Sequence, residues 1–187
     1  GVIAVLGTSH NGMGRITMSD KQEEGAVPEG EVWLEDDPAA SAADAHLVFV
    51  GQVASGWTAA APPPKNPNEA RERKAPAHIA IDAPYRPALQ GLSKYSHVIV
   101  LVWLHRSSRR PLVIRRQRHF DSPRGVFGVR SPVRPNPIGL SVCRILAVDE
   151  KEGRIDVDAI DFLEGTPVID IKPYRPGVDA FPDAVIG

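Results

Sequence analysis

The chain has a single cysteine, Cys143, so no intramolecular disulfide can form. Its apolar, strand-like surroundings suit a buried, inert thiol better than a nucleophile. Long hydrophobic runs are equally scarce. The longest, Val98 to Leu104, is far below the roughly 20 residues that a membrane-spanning helix needs, so a soluble chain is expected. The apolar opening Gly1 to Gly7 lacks a basic leading region and a small-residue cleavage pattern, which argues against a secretory signal and for a cytoplasmic protein. There is no glycine-rich nucleotide loop, no catalytic-triad spacing, no metal-ligand cluster and no internal repeat. What remains is a chain of 187 residues with 42% hydrophobic content, enough for one cored domain with extensions and tight for two.

A net charge of -1 conceals strong segregation. The stretch from Arg106 to Arg134 holds nine arginines and one acid, Asp121. Asp20 to Asp44 carries nine acids and one base, Lys21, and Asp149 to Asp183 carries ten acids against four bases. Arginine in preference to lysine favours bidentate contact with phosphate or carboxylate and stacking on bases. A solvated or internally paired face is the competing reading, and charge alone leaves both open.

Residues 1–45 are acidic and, apart from Trp33 and Leu34, poor in large apolar groups, so they read as an N-terminal arm. Met18 is a possible native start within it. Residues 46–187 read as one domain. Leu47 to Val53, His78 to Ile81, His97 to Leu104 and Pro111 to Ile114 are short Val, Ile and Leu runs bounded by turn formers, hence strands. Ile138 to Val148 and Arg154 to Ile160 flank the polar turn 149–153, which ends in Gly153 where a positive φ is needed: a hairpin. Ile155, Val157 and Ala159 alternate with polar residues, giving one buried face, and Val168 to Ile171 adds a strand. Helix is expected only around Pro87 to Gln90, closed by Gly91, and from Asn68 to Lys74. Many short strands with few helices predict a mainly β fold, a single compact antiparallel barrel or sandwich. His78 is expected to face solvent, Trp57 to cover a barrel end and Trp103 to join the core.

Two loops stand out chemically. Arg130 to Ser141 packs three prolines, Asn136, Arg130 and Arg134 between apparent strands. Proline fixes φ and restricts the preceding residue, so Ser131, Arg134 and Asn136 are held extended before any ligand arrives, although a proline-protected barrel rim would look the same. Asp161 to Pro167 is followed by Asp170-Ile171-Lys172-Pro173-Tyr174, where strand alternation sets Asp170 and Lys172 on one face, as an active-site rim or as a surface ion pair.

The segment Gly125 to Ser141, with its core Arg130-Ser131-Pro132-Val133-Arg134-Pro135-Asn136-Pro137-Ile138-Gly139-Leu140-Ser141, and the segment Gly165-Thr166-Pro167-Val168-Ile169-Asp170-Ile171-Lys172-Pro173-Tyr174 resemble the motifs of the TrmO, or TsaA-like, family of S-adenosylmethionine-dependent tRNA methyltransferases. The likeness runs from about Phe49 to Asp179 and includes Ala88 to Leu92, Tyr95-Ser96-His97 and Trp103-Leu104-His105. It implies a compact β-barrel, a homodimer with cofactor near the subunit boundary, and methylation of the exocyclic amine of threonylcarbamoyl-adenosine beside the tRNA anticodon. Carried over residue by residue, it assigns cofactor contacts to Pro64, Lys65, Asn66, His105, Arg106, Arg130, Leu140, Asp161, Phe162, Leu163 and Glu164. This chain departs from the usual pattern at Lys65-Asn66, Arg106, Gly128-Val129, Glu164 and Arg175 to Asp179.

Methyl transfer from a sulfonium needs alignment more than covalent catalysis. Asp170 and Tyr174 are therefore expected to stabilise and deprotonate the amine, Lys172 to orient Asp170 or hold substrate, and Asn136 to fix base or cofactor. Arg134, Arg124 and Arg118 are expected to meet the phosphates of an anticodon stem-loop. Two alternatives remain: the same barrel acting on another nucleoside or small molecule, and a non-catalytic cofactor-binding module with the acidic arm folded over the arginines.

Overall fold

The computed structural model describes residues 26–40, 44–75, 77–115 and 122–186. Its strands are Val32–Trp33 (β1), Gly51–Ala54 (β2), Ala77–Ile81 (β3), His97–Trp103 (β4), Pro111–Ile114 (β5), Arg124–Gly125 (β6), Ile138–Asp149 (β7), Arg154–Val157 (β8) and Pro167–Pro173 (β9). Six of them close into a barrel in the order β2-β3-β8-β7-β4-β9, and the others form a separate sheet in the order β1-β5-β6. Every pairing is antiparallel. The expected mainly β, single-barrel architecture is what the chain adopts.

Alternation builds the barrel. On β4, Val98, Val100 and Val102 are fully buried, whereas His97, Ile99, Leu101 and Trp103 face outward and are only partly covered. The interior adds Val53, Ile79, Cys143, Ile155, Val157 and Val168, each almost wholly inaccessible. Each buried Val or Ile side chain stabilises the fold by roughly 1.5–3 kcal/mol relative to exposure. Gly139 is the small residue on the inward face of β7, since an added Cβ would stand 2.7 Å from Val102 Cγ2 and 3.0 Å from the Phe162 ring. Gly153 closes the β7–β8 hairpin at φ +71°, as its sequence context predicts.

Several expected elements differ in extent. The first barrel strand starts at Gly51 rather than Leu47, because Leu47, Val48 and Phe49 are exposed and lie outside the ladder. The strand expected to reach Ile160 ends at Val157, although Ala159 and Ile160 stay buried. The helix expected around Pro87 is a 3-10 segment, Ala83–Leu89, whose prolines remove the amide donors that an α-helix requires. The other helix is Pro67–Arg73 (α1), capped by Asn66, whose Oδ1 accepts from Glu69 N, and ended by Lys74 in the left-handed region. A short helix, Pro176–Asp179 (α2), follows β9. The arm is more than a polar tail, for it supplies β1.

Candidate functional site

One cavity of about 1160 Å³ lies against the outer wall of the barrel. That is slightly above the roughly 300–1,000 Å³ of small-molecule sites, leaving room for a cofactor-sized ligand and part of a second group. Its floor is made by outward side chains of the wall: Leu101 on β4 and Ile138, Leu140 and Val142 on β7. Leu101 pairs with Leu140 across the β4–β7 ladder, so these two are neighbours on one face. The roof is residues 63–68 with Arg71 of α1. The sides come from 104–107, from Phe127 to Asn136, and from Asp161, Phe162 and Leu163.

The roof is held by polar clamps. Arg71 donates from Nε to Asp158 Oδ2 at 2.8 Å, from Nη2 to the Val142 carbonyl at 2.9 Å and from Nη1 to Asn68 Oδ1 at 3.0 Å. Asp158 also accepts from the Arg144 amide, so one carboxylate ties α1 to the β7 strand. Inside α1's first turn, Glu69 accepts from Lys65 N and pairs with Arg73. These contacts lower its pKa below the ordinary value, the Lys65 amide most and Arg73 next.

The proline-rich loop is clamped from the other side. Arg109 donates from Nε to the Pro135 carbonyl and from Nη2 to Asn136 Oδ1 at 3.2 Å, while its guanidinium lies 5.5 Å from the Trp103 ring centroid. Trp103 thus serves as an outward platform for an arginine, not as the core residue expected. Pro137 is fully buried and its carbonyl accepts from Leu104 N, which seats the loop on the barrel wall. The Asp161 to Thr166 turn is fastened to 53–57: Ser55 Oγ donates to the Phe162 carbonyl, and Gly165 N to the Val53 carbonyl. Trp57 closes this end, donating from Nε1 to the Ile160 carbonyl beneath Arg73.

Two buried polar atoms in the lining have no hydrogen-bond partner, His105 Nδ1 and Asp161 Oδ1. Desolvation lowers the His105 pKa from 6.5, with Arg106 adding to the effect and the Trp103 backbone, too poorly aligned for a full hydrogen bond, opposing it. Burial raises that of Asp161 above 3.8, opposed first by its own backbone amide and then by the Ser141 hydroxyl and Arg71. A polar ligand with both donors and acceptors fits such a pair. Cys143, behind the wall, is pushed up to about 12 by burial, in keeping with an inert thiol.

The cavity gathers Pro64, Lys65, Asn66, His105, Arg106, Arg130, Leu140, Asp161, Phe162 and Leu163, together with Arg134 and Asn136. Glu164 is turned elsewhere. Its Oε2 accepts from the Ser55 and Gly56 amides, both at 2.8 Å, and its side chain lines a second, more open depression. Arg124 sits on β6, outside the cavity lining, and Arg118 lies outside the described residues.

Asp170, Lys172 and Tyr174 do not line the cavity, yet they share its wall. Leu101 pairs with Asp170 on one side as it pairs with Leu140 on the other, and Ile99 pairs with Lys172. A bulge makes this possible. The β4–β9 register shifts between Leu101 and Val102, so Val102 faces Val168 while Leu101 faces Asp170. The one extra residue, Ile169, reverses the phase of the strand. Val168 points into the core, and Asp170 and Lys172 point outward. Lys172 Nζ pairs with Asp170 Oδ2 at 2.6 Å, and the Tyr174 and His97 rings lie 6.2 Å apart. Sequence reading missed the bulge, Arg71 and Arg109, because each depends on a distant partner.

The fold and site define a class: a small closed antiparallel barrel that carries its ligand cavity on the outer wall, roofed by a capped helix and a proline-rich loop. The model of the tRNA-methyltransferase O N-terminal domain matches residues 52–180, and the chain belongs to this family. Over 124 residues it is 40% identical to a probable S-adenosyl-L-methionine-binding protein of Archaeoglobus fulgidus, covering 66% of this chain and 33% of that protein. Over 142 residues it is 33% identical to the tRNA (adenine(37)-N6)-methyltransferase of Escherichia coli (strain K12), covering 72% of this chain and 60% of the relative. The crystal structure of TrmO from Pseudomonas aeruginosa superposes with a TM-score of 0.61 at 33% identity, covering 76% of this chain and 61% of that one. The chain therefore spans from a third to under two thirds of the length of these relatives.

Proposed function

We propose that this chain transfers a methyl group from S-adenosylmethionine to the N6 amine of a tRNA adenosine, preferring the threonylcarbamoyl-modified base beside the anticodon. The observation that carries the reading is the convergence of the 130–141 and 161–163 segments on one cavity containing two unpartnered buried polar atoms. The chemistry of the lining fits the donor. Asp161 accepts from an ammonium or amine, Arg106 and Arg130 suit a carboxylate, and Leu101, Leu140 and Phe162 suit an apolar ring face. Pro64, Lys65, Asn66, His105 and Leu163 complete the contact set, while Glu164 acts indirectly by fixing the 161–166 turn.

When bound, S-adenosylmethionine supplies an electrophilic methyl group on a sulfonium. The residues of this chain supply position and a proton acceptor. Asn136, pinned by Arg109, orients the base or the donor. An acceptor adenine lying over Leu101 meets both the cavity and Asp170. Asp170 takes the amine proton, Lys172, paired with it, orients that carboxylate, and Tyr174 stabilises the charge moving onto nitrogen. Arg134 and the neighbouring arginines receive RNA phosphates. Phe127 on the side of the cavity and Ile138 and Leu140 on its floor leave apolar surface exposed, which supports a homodimer formed across this wall.

Labelled donor offered with tRNA carrying or lacking the threonylcarbamoyl group tests the reading. Incorporation confined to modified tRNA is expected, and incorporation into other acceptors would reassign the substrate. Donor uptake without transfer would leave a binding module, the reading favoured by the name of the Archaeoglobus relative. Asp170→Asn should lower turnover by about a hundredfold with donor affinity retained, and wild-type turnover would remove Asp170 from the mechanism.

A further inference from the structure

The two oppositely charged segments of the chain meet. Residues 26–40 carry five acids, Glu29, Glu31, Glu35, Asp36 and Asp37, and no base. Within this segment β1 adds to one edge of β5, the strand that crosses the arginine-rich stretch. Leu34 N donates to the Arg110 carbonyl at 2.7 Å, and Arg110 Nε donates to the Leu34 carbonyl at 2.9 Å. The Arg110 guanidinium lies 6.0 Å from the Trp33 ring centroid. Glu31 Oε1 accepts from the Arg115 amide at 3.3 Å.

The other edge of β5 pairs with β6, which leads into the Val126–Gly128 turn. Val126 and Val129 pack with Ile114 of β5, and the adjoining Phe127 and Arg130 line the cavity. The acidic strand and the cavity side are thus opposite flanks of one small sheet. The strand is lightly held. Its ladder is two residues long, neither residue is buried, and Val32 is half exposed. An edge strand with so little apolar anchorage can yield to a stronger polyanion.

We propose that the arginines flanking β5 and on β6, Arg110, Arg115 and Arg124, form a binding surface for RNA phosphates, and that the chain's own acidic strand, which meets Arg110 and the Arg115 backbone, partly occupies it in competition with RNA. This rests on the tRNA reading above. The acids offset the cationic field of the sheet, so fewer counterions are released when RNA binds, and weakly charged or short RNA is excluded.

The test uses the full chain with Glu29→Gln, Glu31→Gln, Glu35→Gln, Asp36→Asn and Asp37→Asn combined. Binding of a labelled anticodon stem-loop RNA is measured against salt beside the wild type. The variant should bind about tenfold tighter at low salt, with the gap closing as screening rises. S-adenosylmethionine affinity should not change. Trp33→Ala, which removes the Arg110 platform and keeps every acid, should shift RNA affinity the same way, with a thermal melt confirming a folded barrel. Wild-type RNA binding matched by both variants, or weakened in the neutralised one, overturns the competition and leaves the tRNA reading standing. If neither protein binds RNA while both take up the donor, the tRNA reading itself fails, and the competition with it.

Discussion

The barrel wall and the cavity roof are neighbours built by different physics. The wall is a continuous ladder whose inward side chains are excluded from water, with β4 paired on both edges. The roof is residues 63–74 attached chiefly by Arg71 to Asp158 and Val142, with Ala70 the buried residue of α1. Burial of many methyl groups gives a cooperative wall that tolerates no local failure. A few directional contacts give a roof that can be loosened while the barrel stands. Lys65 and Asn66 sit in the roof and line the cavity, Asn66 also capping α1.

Ile155→Ala should break the wall first and produce the largest effect. Ile155 is fully buried in the barrel core, and truncation at such a site costs about 2–5 kcal/mol. A urea titration should show the midpoint falling, with donor affinity per folded molecule unchanged. Loss of affinity in the still-folded fraction would mean that wall and roof are one unit. Arg71→Ala should do the reverse. The Arg71–Asp158 pair is partly exposed, so the stability loss should be about 1 kcal/mol. Donor affinity should fall by about tenfold, since a loosened roof must be ordered at binding. A double-mutant cycle with Asp158→Asn checks the coupling: additive losses of affinity would deny that the pair acts through the roof.

This division also explains what could be read from the sequence. The wall was legible because burial imposes period two: Val98, Val100 and Val102 alternate with Ile99 and Leu101, and Ile155, Val157 and Ala159 do the same. Gly153 declared its turn because few residues other than glycine sit comfortably at φ +71°. The prolines of 132–137 announced a stiff loop. The roof was less legible, for the contact of Arg71 with Asp158 spans 87 residues and leaves no local pattern. Asp170 shows the limit most clearly. Alternation alone relates it to Lys172 but cannot say which face the pair takes, because that was decided by the extra Ile169 opposite β4. Glu164 likewise looked like a cavity carboxylate until the Ser55 and Gly56 amides claimed it. The small β1-β5-β6 sheet escaped notice because two of its strands are two residues long.

A pH titration sharpens the contrast from inside the site. Asp161 has its pKa raised above 3.8 by burial, so the folded state holds the proton more tightly than the unfolded chain. Its contribution favours folding below 3.8 and is lost as pH rises through the elevated folded value. His105, lowered from 6.5 by burial and Arg106, behaves oppositely: its contribution is present above 6.5 and is lost as pH falls through the depressed value. A cationic or N–H donor ligand at Asp161 favours the ionised carboxylate, so donor affinity should rise with pH across the window just above 3.8. Asp161→Asn should abolish that rise and flatten the acid-side stability curve. Calorimetry across pH 4 to 7 decides this, and an unchanged pH slope in the variant would place the titrating group elsewhere.

The smallest effect should come from Arg109, where wall and loop touch. Its Nε and Nη2 hold Pro135 and Asn136, and its cation rests on Trp103, which is itself paired with Ile138 on the wall. The prolines already restrict the loop backbone, so Arg109 sets mainly the direction of the Asn136 side chain. Arg109→Lys keeps the charge over the indole but loses the planar fork. Turnover should fall by a few-fold to about tenfold, consistent with loss of one oriented contact, while thermal stability and donor affinity stay near wild type. Arg109→Ala should lose the stacking as well and shift the Trp103 fluorescence, a signature that Lys leaves largely intact. If both variants turn over like wild type although Trp103 fluorescence moves in the alanine protein, the loop is positioned by its prolines alone, and the polar clamp on this side, unlike the Arg71 clamp on the other, is ornamental to catalysis.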